Sequence, residues 1–320
     1  MSALEPIETP HEPVLVTPAS AGWLRAVFAG NRAATAGAIV LVAFVVIAIV
    51  GPMLAPYGAR QQVGPLFGHP SWGHPVGLDD GGDDMLSLLL IGTRSSLIVG
   101  FAAAVVAGLV GGAIGIVAGY AGGLLDGALM RFTDYVLVIP ALPLMIVVAA
   151  LWGPSLSHIV LVIGLTVWAP TARTIRAQAL TVRERVFVRR SQAQGASHLR
   201  VLRRHMIPQL MPLLVATTVL TVSTAIFYEA ALAFLGLADP NIISWGRLIA
   251  NAFERSATSA GAWWAIVPPG VCIAIVVLAA SLVGNAVEDT FNPRLKTPHI
   301  SPLTFRIRRS RPVEEEPPPC

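Results

Sequence analysis

The chain has 320 residues, 54% of them hydrophobic and only 12% charged, with a formal net charge of +4 and a mean hydropathy of +0.69. That charged share is about half the usual one, and a soluble domain of this size would need far more charge to cover its surface. The composition excludes a soluble globular enzyme and leaves an integral membrane protein.

The identity of the charges excludes more. Lys296 is the only lysine among 22 basic residues. A phosphate-binding P-loop needs G-x-x-x-x-G-K-[ST], and Lys296 stands in PRLKTP without those glycines. No ATP site of that kind is expected in this chain. Cys272 and Cys320 suggest neither a disulfide framework nor a zinc site. His69 and His74 stand near Asp79, Asp80, Asp83 and Asp84, but nothing fixes a ligand geometry, and a glycine-rich loop accounts for the acids equally well. Neither a metal, a cofactor nor a nucleic-acid partner is expected.

The elements follow from the charges in chain order. Residues 1–33 open with Glu5, Glu8 and Glu12 among several prolines and no basic start, which reads as a disordered tail rather than a signal peptide. A bilayer core of roughly 30 Å needs about 20 apolar residues in a helix. The first charge-free run places a transmembrane helix in 34–56, and 57–92 follows as an external loop. The domain 93–288 holds five more helices, near 95–118, 135–152, 156–172, 210–235 and 263–287. The third and fourth are divided by a turn at Gly153 and Pro154. Residues 289–320 form a second tail. The expected fold is an all-α bundle of six transmembrane helices, since helices satisfy their own backbone in lipid. The short alternating segments of a β-barrel are absent.

Six crossings put both termini on one side. The segment 173–204 carries nine arginines and a single acid, Glu184. Placing it in the cytoplasm puts 18 basic residues inside against 4 outside. The positive-inside rule therefore makes both termini cytoplasmic.

Four further features invite assignment. Gly111, Gly115 and Gly119 recur every fourth residue, a spacing that lets helix backbones approach closely. Asp134 lies three residues after Arg131 and is expected to pair with it. Glu229 is the one acid near the fifth crossing and a candidate for translocation or gating, although its place near the outer end suggests that it reaches water. The segment 188–212 is basic with Gly195 at its middle and Pro208 near the next crossing, which reads as a helix–turn–helix outside the membrane. Charge alone would make it an ordinary loop near anionic lipid.

That segment resembles the E-A-A-x-x-x-G loop of ABC-importer permeases. Gly195 matches the glycine, and Ile207 with Pro208 matches the apolar-proline pair downstream. The E-A-A triplet falls on Arg189, Arg190 and Ser191, a departure that replaces the acid by a base. Other blocks narrow the likeness. HPVGLDDGGDDMLS matches at His74, Pro75, Gly77, Asp79, Gly82, Asp84 and Ser87, with Leu78 and Asp83 departing. GYAGGLLDGALMRFTDYVLVIP (119–140), EAALAFLGL (229–237), SWGRLI (244–249) and GNAVEDTFNPRL (284–295) follow in order. Together they resemble the second, C-type permease subunit of peptide and nickel importers.

The resemblance implies the type I ABC importer permease fold and a transport subunit with no catalysis of its own. Its implied partners are a homologous B-type permease, two ABC ATPase subunits that hold the ATP and Mg, an extracytoplasmic solute-binding protein and membrane lipid. The loop 173–207 would couple to the ATPases, with Arg189, Arg190, Ser191, Gly195, Ala196, Leu199, Ile207 and Pro208 as its matched positions. Di- and oligopeptides are the implied cargo. Nickel or another small solute is an alternative, and an ion-coupled secondary transporter is a more distant one.

Overall fold

The computed structural model describes residues 27–28 and 31–291. The expected tails 1–33 and 289–320 fall almost wholly outside the described residues, as does the end of the 284–295 block. Among the described residues all regular structure is helical, apart from isolated bridges joining Gln62 to Asp83 and Leu78 to Asp84.

The helices are α1 (Arg32–Leu54), α2 (Met85–Ala121), α3 (Gly123–Val138), α4 (Ala141–Trp152), α5 (Leu156–Gly164), α6 (Ala169–Arg183), α7 (Val186–Ala193), α8 (His198–Val201), α9 (Ile207–Phe234), α10 (Trp245–Glu254) and α11 (Val267–Phe291). A π-helical turn, Leu202–Met206, joins α8 to α9, and a 3-10 turn, Trp263–Ala265, precedes α11. α1, α2, the continuous run His198–Phe234 and the run Trp263–Thr290 are each long and apolar enough to cross a bilayer. α3 with α4, and α5 with α6, are two further candidate crossings, bent by 87° and 43°.

Local chemistry sets the boundaries. Asn31 caps α1 by accepting from the Ala34 amide at 3.0 Å. Asp84 caps α2 by accepting from the Ser87 amide at 2.9 Å and the Ser87 hydroxyl at 2.8 Å. α2 stops where Gly122 and Gly123 turn to φ +68° and +58°, a conformation that side chains resist. α3 stops before Pro140, which lacks the amide to continue the helix and forces Ile139 into an extended conformation.

α2 is the central post. One of its faces packs against α6. A Cβ on Gly111 would lie 2.5 Å from the Trp168 carbonyl, one on Gly115 2.6 Å from the Ala172 carbonyl, and one on Gly119 2.6 Å from the Ala179 Cβ. The adjoining face, with Gly100, Gly108 and Gly112, meets Ile226, Thr218 and Leu214 of α9 in the same close manner. α1 lies outermost against α2 and α11, and turns Ile39, Val42, Ile49 and Met53 outward. In a bilayer those side chains meet lipid, a solvent as apolar as themselves.

Candidate functional site

Three arrangements concentrate the polar chemistry of the bundle. The first is the basic segment between α6 and α9. α6 buries Ile175, Ala179 and Val182 along one side, and the chain then turns into α7. α7 ends at Gly195, whose φ is +78°. The Gly195 amide donates to the Gln192 carbonyl at 2.9 Å and the Ala196 amide to the Ser191 carbonyl at 3.1 Å. This paired closure satisfies the last carbonyls of the helix and reverses the chain. α8 and the π-turn run continuously into α9, and Pro208, which has no amide to donate, follows directly on the widened π-turn.

The segment has two faces. Val188, Val201 and Met206 are fully buried against Ile175, Ala179 and Leu210. The Tyr120 hydroxyl, at the end of α2, meets His198 Nδ1 at 2.7 Å. The turn is therefore fastened to α2, α6 and α9 together. The other face exposes Val186, Phe187 and Leu199, with Arg185, Arg189, Arg190 and Arg200 around them. Ser191 and Ala196 are half-buried beside the turn, and Ile207 is half-buried at the foot of α9. Arg189 reaches back to Glu184, so the one acid of the segment is already engaged. Sequence reasoning named the turn but missed Val186, Phe187 and Val188. Three consecutive apolar residues between Arg185 and Arg189 were the available signal.

The second arrangement braces α3 against α6. Asp126 takes both Nε and a terminal nitrogen of Arg176 at 2.6 and 2.7 Å. Asp134 pairs with Arg173 at 2.5 Å, not with Arg131 as expected. The i+3 spacing allowed the local pair, but α6 crosses α3 and brings Arg173 to the carboxylate. The expected crossings at 135–152 and 156–172 fall on the bent pairs Gly123–Val138 with Ala141–Trp152 and Leu156–Gly164 with Ala169–Arg183. The helices break at Pro140 and again over Leu165–Trp168, because proline and a lost turn redirect backbone that hydropathy reads as continuous.

The third arrangement lies at the far end of the bundle. Glu229 is almost fully buried, where reach to water was expected. The Ser96 hydroxyl donates to Glu229 at 3.4 Å and accepts from the Trp245 amide at 3.1 Å. The cause is α10, which folds back over the carboxyl with Trp245 buried and Gly246 seated on the backbone of Ala230. Beside it, the acids of 74–87 serve the loop itself. Asp79 accepts from the Gly81 and Asp83 amides at 2.9 and 2.8 Å, and His74 meets Asp84 at 2.9 Å. Among the described residues no cluster of His, Cys, Asp or Glu could hold a metal ion.

An apolar helical bundle with broken crossings and a fastened basic turn is the build of a membrane transport component. Residues 111–297 match the family model of the binding-protein-dependent transport system inner membrane component, and residues 23–66 match the N-terminal TM domain of oligopeptide transport permease C. The chain belongs to the family of binding-protein-dependent transport system inner membrane components. It is a multi-pass membrane protein and a transport subunit rather than a catalytic enzyme.

Its relatives share most of their length with it. It is 35% identical over 292 residues to the dipeptide transport system permease protein DppC of Escherichia coli K12, covering 89% of this chain and 96% of that one. It is 34% identical over 268 residues to the DppC of Bacillus subtilis, covering 83% of each chain. It is 33% identical over 296 residues to the di/tripeptide transport system permease protein DppC of Pseudomonas aeruginosa, covering 89% and 96%.

Proposed function

We propose that this chain is one of two homologous permease subunits of an ATP-driven importer of di- and oligopeptides. Six crossings with both termini in the cytoplasm fit the arginine distribution. Two ATPase subunits, carrying the ATP and Mg, dock beneath the loop 173–207, and an extracytoplasmic binding protein delivers peptide above. Peptide as cargo is supported by what the relatives are named to carry.

The observation that carries this reading is the two-faced turn at Gly195. Val186, Phe187 and Leu199 offer an apolar contact to a partner, while Val188, Val201 and Met206 tie the same turn into α6 and α9. A push on the exposed face is a push on the crossing helices. Nucleotide then drives transport by binding one arrangement of the complex better than the other. Arg189 and Arg190 give the docking surface a basic rim in place of the family's acid. Gly111, Gly115 and Gly119 hold α2 and α6 as one body during that motion, and Glu229 latches α10 over the bundle.

The test is a pair of variants at Gly195. A Cβ there would meet nothing within 4 Å, so Gly195→Ala and Gly195→Trp share one backbone strain of about 1–2 kcal/mol and differ in bulk facing the partner. Gly195→Trp should abolish ATP-driven peptide uptake with normal membrane insertion, and Gly195→Ala should keep most of it. Normal uptake by the tryptophan variant would contradict the coupling role.

A further inference from the structure

A cavity of about 470 Å³ opens between the two bent helix pairs and α9. Both helix breaks border it, through Pro140 on one side and Thr166 with Val167 on the other. Backbone that leaves the helix at membrane depth is tolerated only where protein buries it or where it lines a water-filled cavity. Two breaks meeting at one cavity mark a place where a solute passes.

The lining is polar in one particular sense. α9 contributes Thr217, Thr221, Thr224 and Tyr228, spaced so that they share one face of the helix. The neighbouring positions Val222, Ala225 and Ile226 are buried on the other side. Thr217 donates its proton to the Leu214 carbonyl at 3.0 Å and Thr221 to the Thr217 carbonyl at 2.8 Å. Across the cavity, Thr166 donates to Val162 at 2.6 Å and Thr174 to Pro170 at 3.1 Å. A hydroxyl has one proton and two lone pairs. With the protons engaged on their own helices, these oxygens face the cavity as acceptors.

Glu288 of α11 also borders the cavity. Its place along α9 follows from the antiparallel packing, in which the Ser223 hydroxyl meets the Val277 carbonyl and Ser281 at 3.1 Å and Gly284 abuts Leu220. That register sets Glu288 at the Thr217 end. Its carboxylate pairs with no cation among the described residues. The wall thus presents acceptor oxygens at Thr166, Thr174, Thr217 and Thr221, hydroxyls at Thr171, Thr224 and Tyr228 that can donate or accept, and a carboxylate at its end.

We propose that the Thr217–Tyr228 face, with Glu288 at its end, is the surface on which this chain receives the passing solute, and that it takes backbone N–H groups and the α-ammonium of a short peptide. The assignment rests on the peptide-importer reading and adds to it the groups recognised. Threonine contacts are individually weak, as conduction requires, since a solute held tightly does not leave.

The experiment uses the whole transporter in vesicles, with uptake of radiolabelled dialanine and ATP hydrolysis measured together. The triple variant T217V/T221V/T224V keeps shape and removes the hydroxyls. Uptake should fall about ten-fold, while hydrolysis stimulated by the loaded binding protein stays within about two-fold of the unaltered complex, and the corresponding triple serine variant should restore uptake. Glu288→Gln should lower uptake by about three-fold or more. Uptake within about two-fold of normal in both the triple valine variant and Glu288→Gln would overturn the proposal. If the triple valine complex does not assemble, Thr224→Val decides, because Thr224 is exposed and supports no packing; lowered uptake supports the proposal and unchanged uptake overturns it. An unaltered complex that imports neither dialanine nor longer alanine peptides defeats the peptide reading instead. The same variants are then read with the solute it does import, and a solute without N–H donors would overturn the cavity assignment as well.

Discussion

Asp79 is held by two backbone amides yet has its pKa pushed up to about 6. Burial is the main cause, and the neighbouring charges of Asp80 and Asp83 add to it against those amides. Burial also raises Asp83. The sign follows directly. A carboxyl whose folded pKa lies above its unfolded value binds protons more readily when folded, so it favours folding at low pH, and that contribution is lost as pH rises through about 6. Amides of residues 77–84 should therefore exchange more slowly at pH 5 than at pH 7.5, after correction for intrinsic rates, and Asp79→Asn should flatten the difference. Equal protection at both pH values in the unaltered chain would contradict this account of the loop. Other residues show where sequence reasoning stops. The Asp134–Arg173 pair joins residues 39 apart, and no local spacing rule reaches that far. Glu229 read as a carboxyl near water because α10, which covers it, leaves no mark in hydropathy.

Elements were legible where charge marks their ends. The charge-free runs near 35–55, 95–118, 210–235 and 263–287 fall on the four long apolar helices, and Gly153, with φ +82°, turns where the WGPSLS break was expected. The directions of the helices were not legible. A span of 38 residues without charge carries no statement of angle, so the 87° bend at Pro140 could not be read from it. The glycines of α2 belong to this scale. At Gly115 a Cβ would press on the Ala172 carbonyl, while at Gly127 of α3 it would meet nothing within 4 Å. Gly115→Ala should destabilise the detergent-solubilised protein by about 1–3 kcal/mol. Gly127→Ala should be neutral or stabilise it by up to about 1 kcal/mol through helix propensity. Thermal melting distinguishes them, and equal melting temperatures would remove the argument for close α2–α6 contact.

At the scale of the whole molecule the proposed coupling joins the turn to the cavity. The turn at Gly195 is fastened to α6 and α9, and those helices wall the cavity together with the bent pair α3–α4. A displacement of the turn would thus reach the cavity through packed side chains, carried by α9 and by α2 and α6 moving together. The class of protein was legible from composition and from motif order, because lipid burial and family motifs both leave strong marks in sequence. The proposed coupling face was legible at Gly195, Leu199 and the arginines but not at Val186 and Phe187, since exposed and buried apolar residues stand side by side in one short helix.

As proposed, this chain works only as part of an ATP-driven complex. The direct measurement is to tag it, solubilise native membranes in mild detergent and identify the bound proteins by mass spectrometry. The account predicts recovery of a second permease together with P-loop ATPases. Recovery of the chain alone, with transport in vesicles that needs an ion gradient and no ATP, would contradict it.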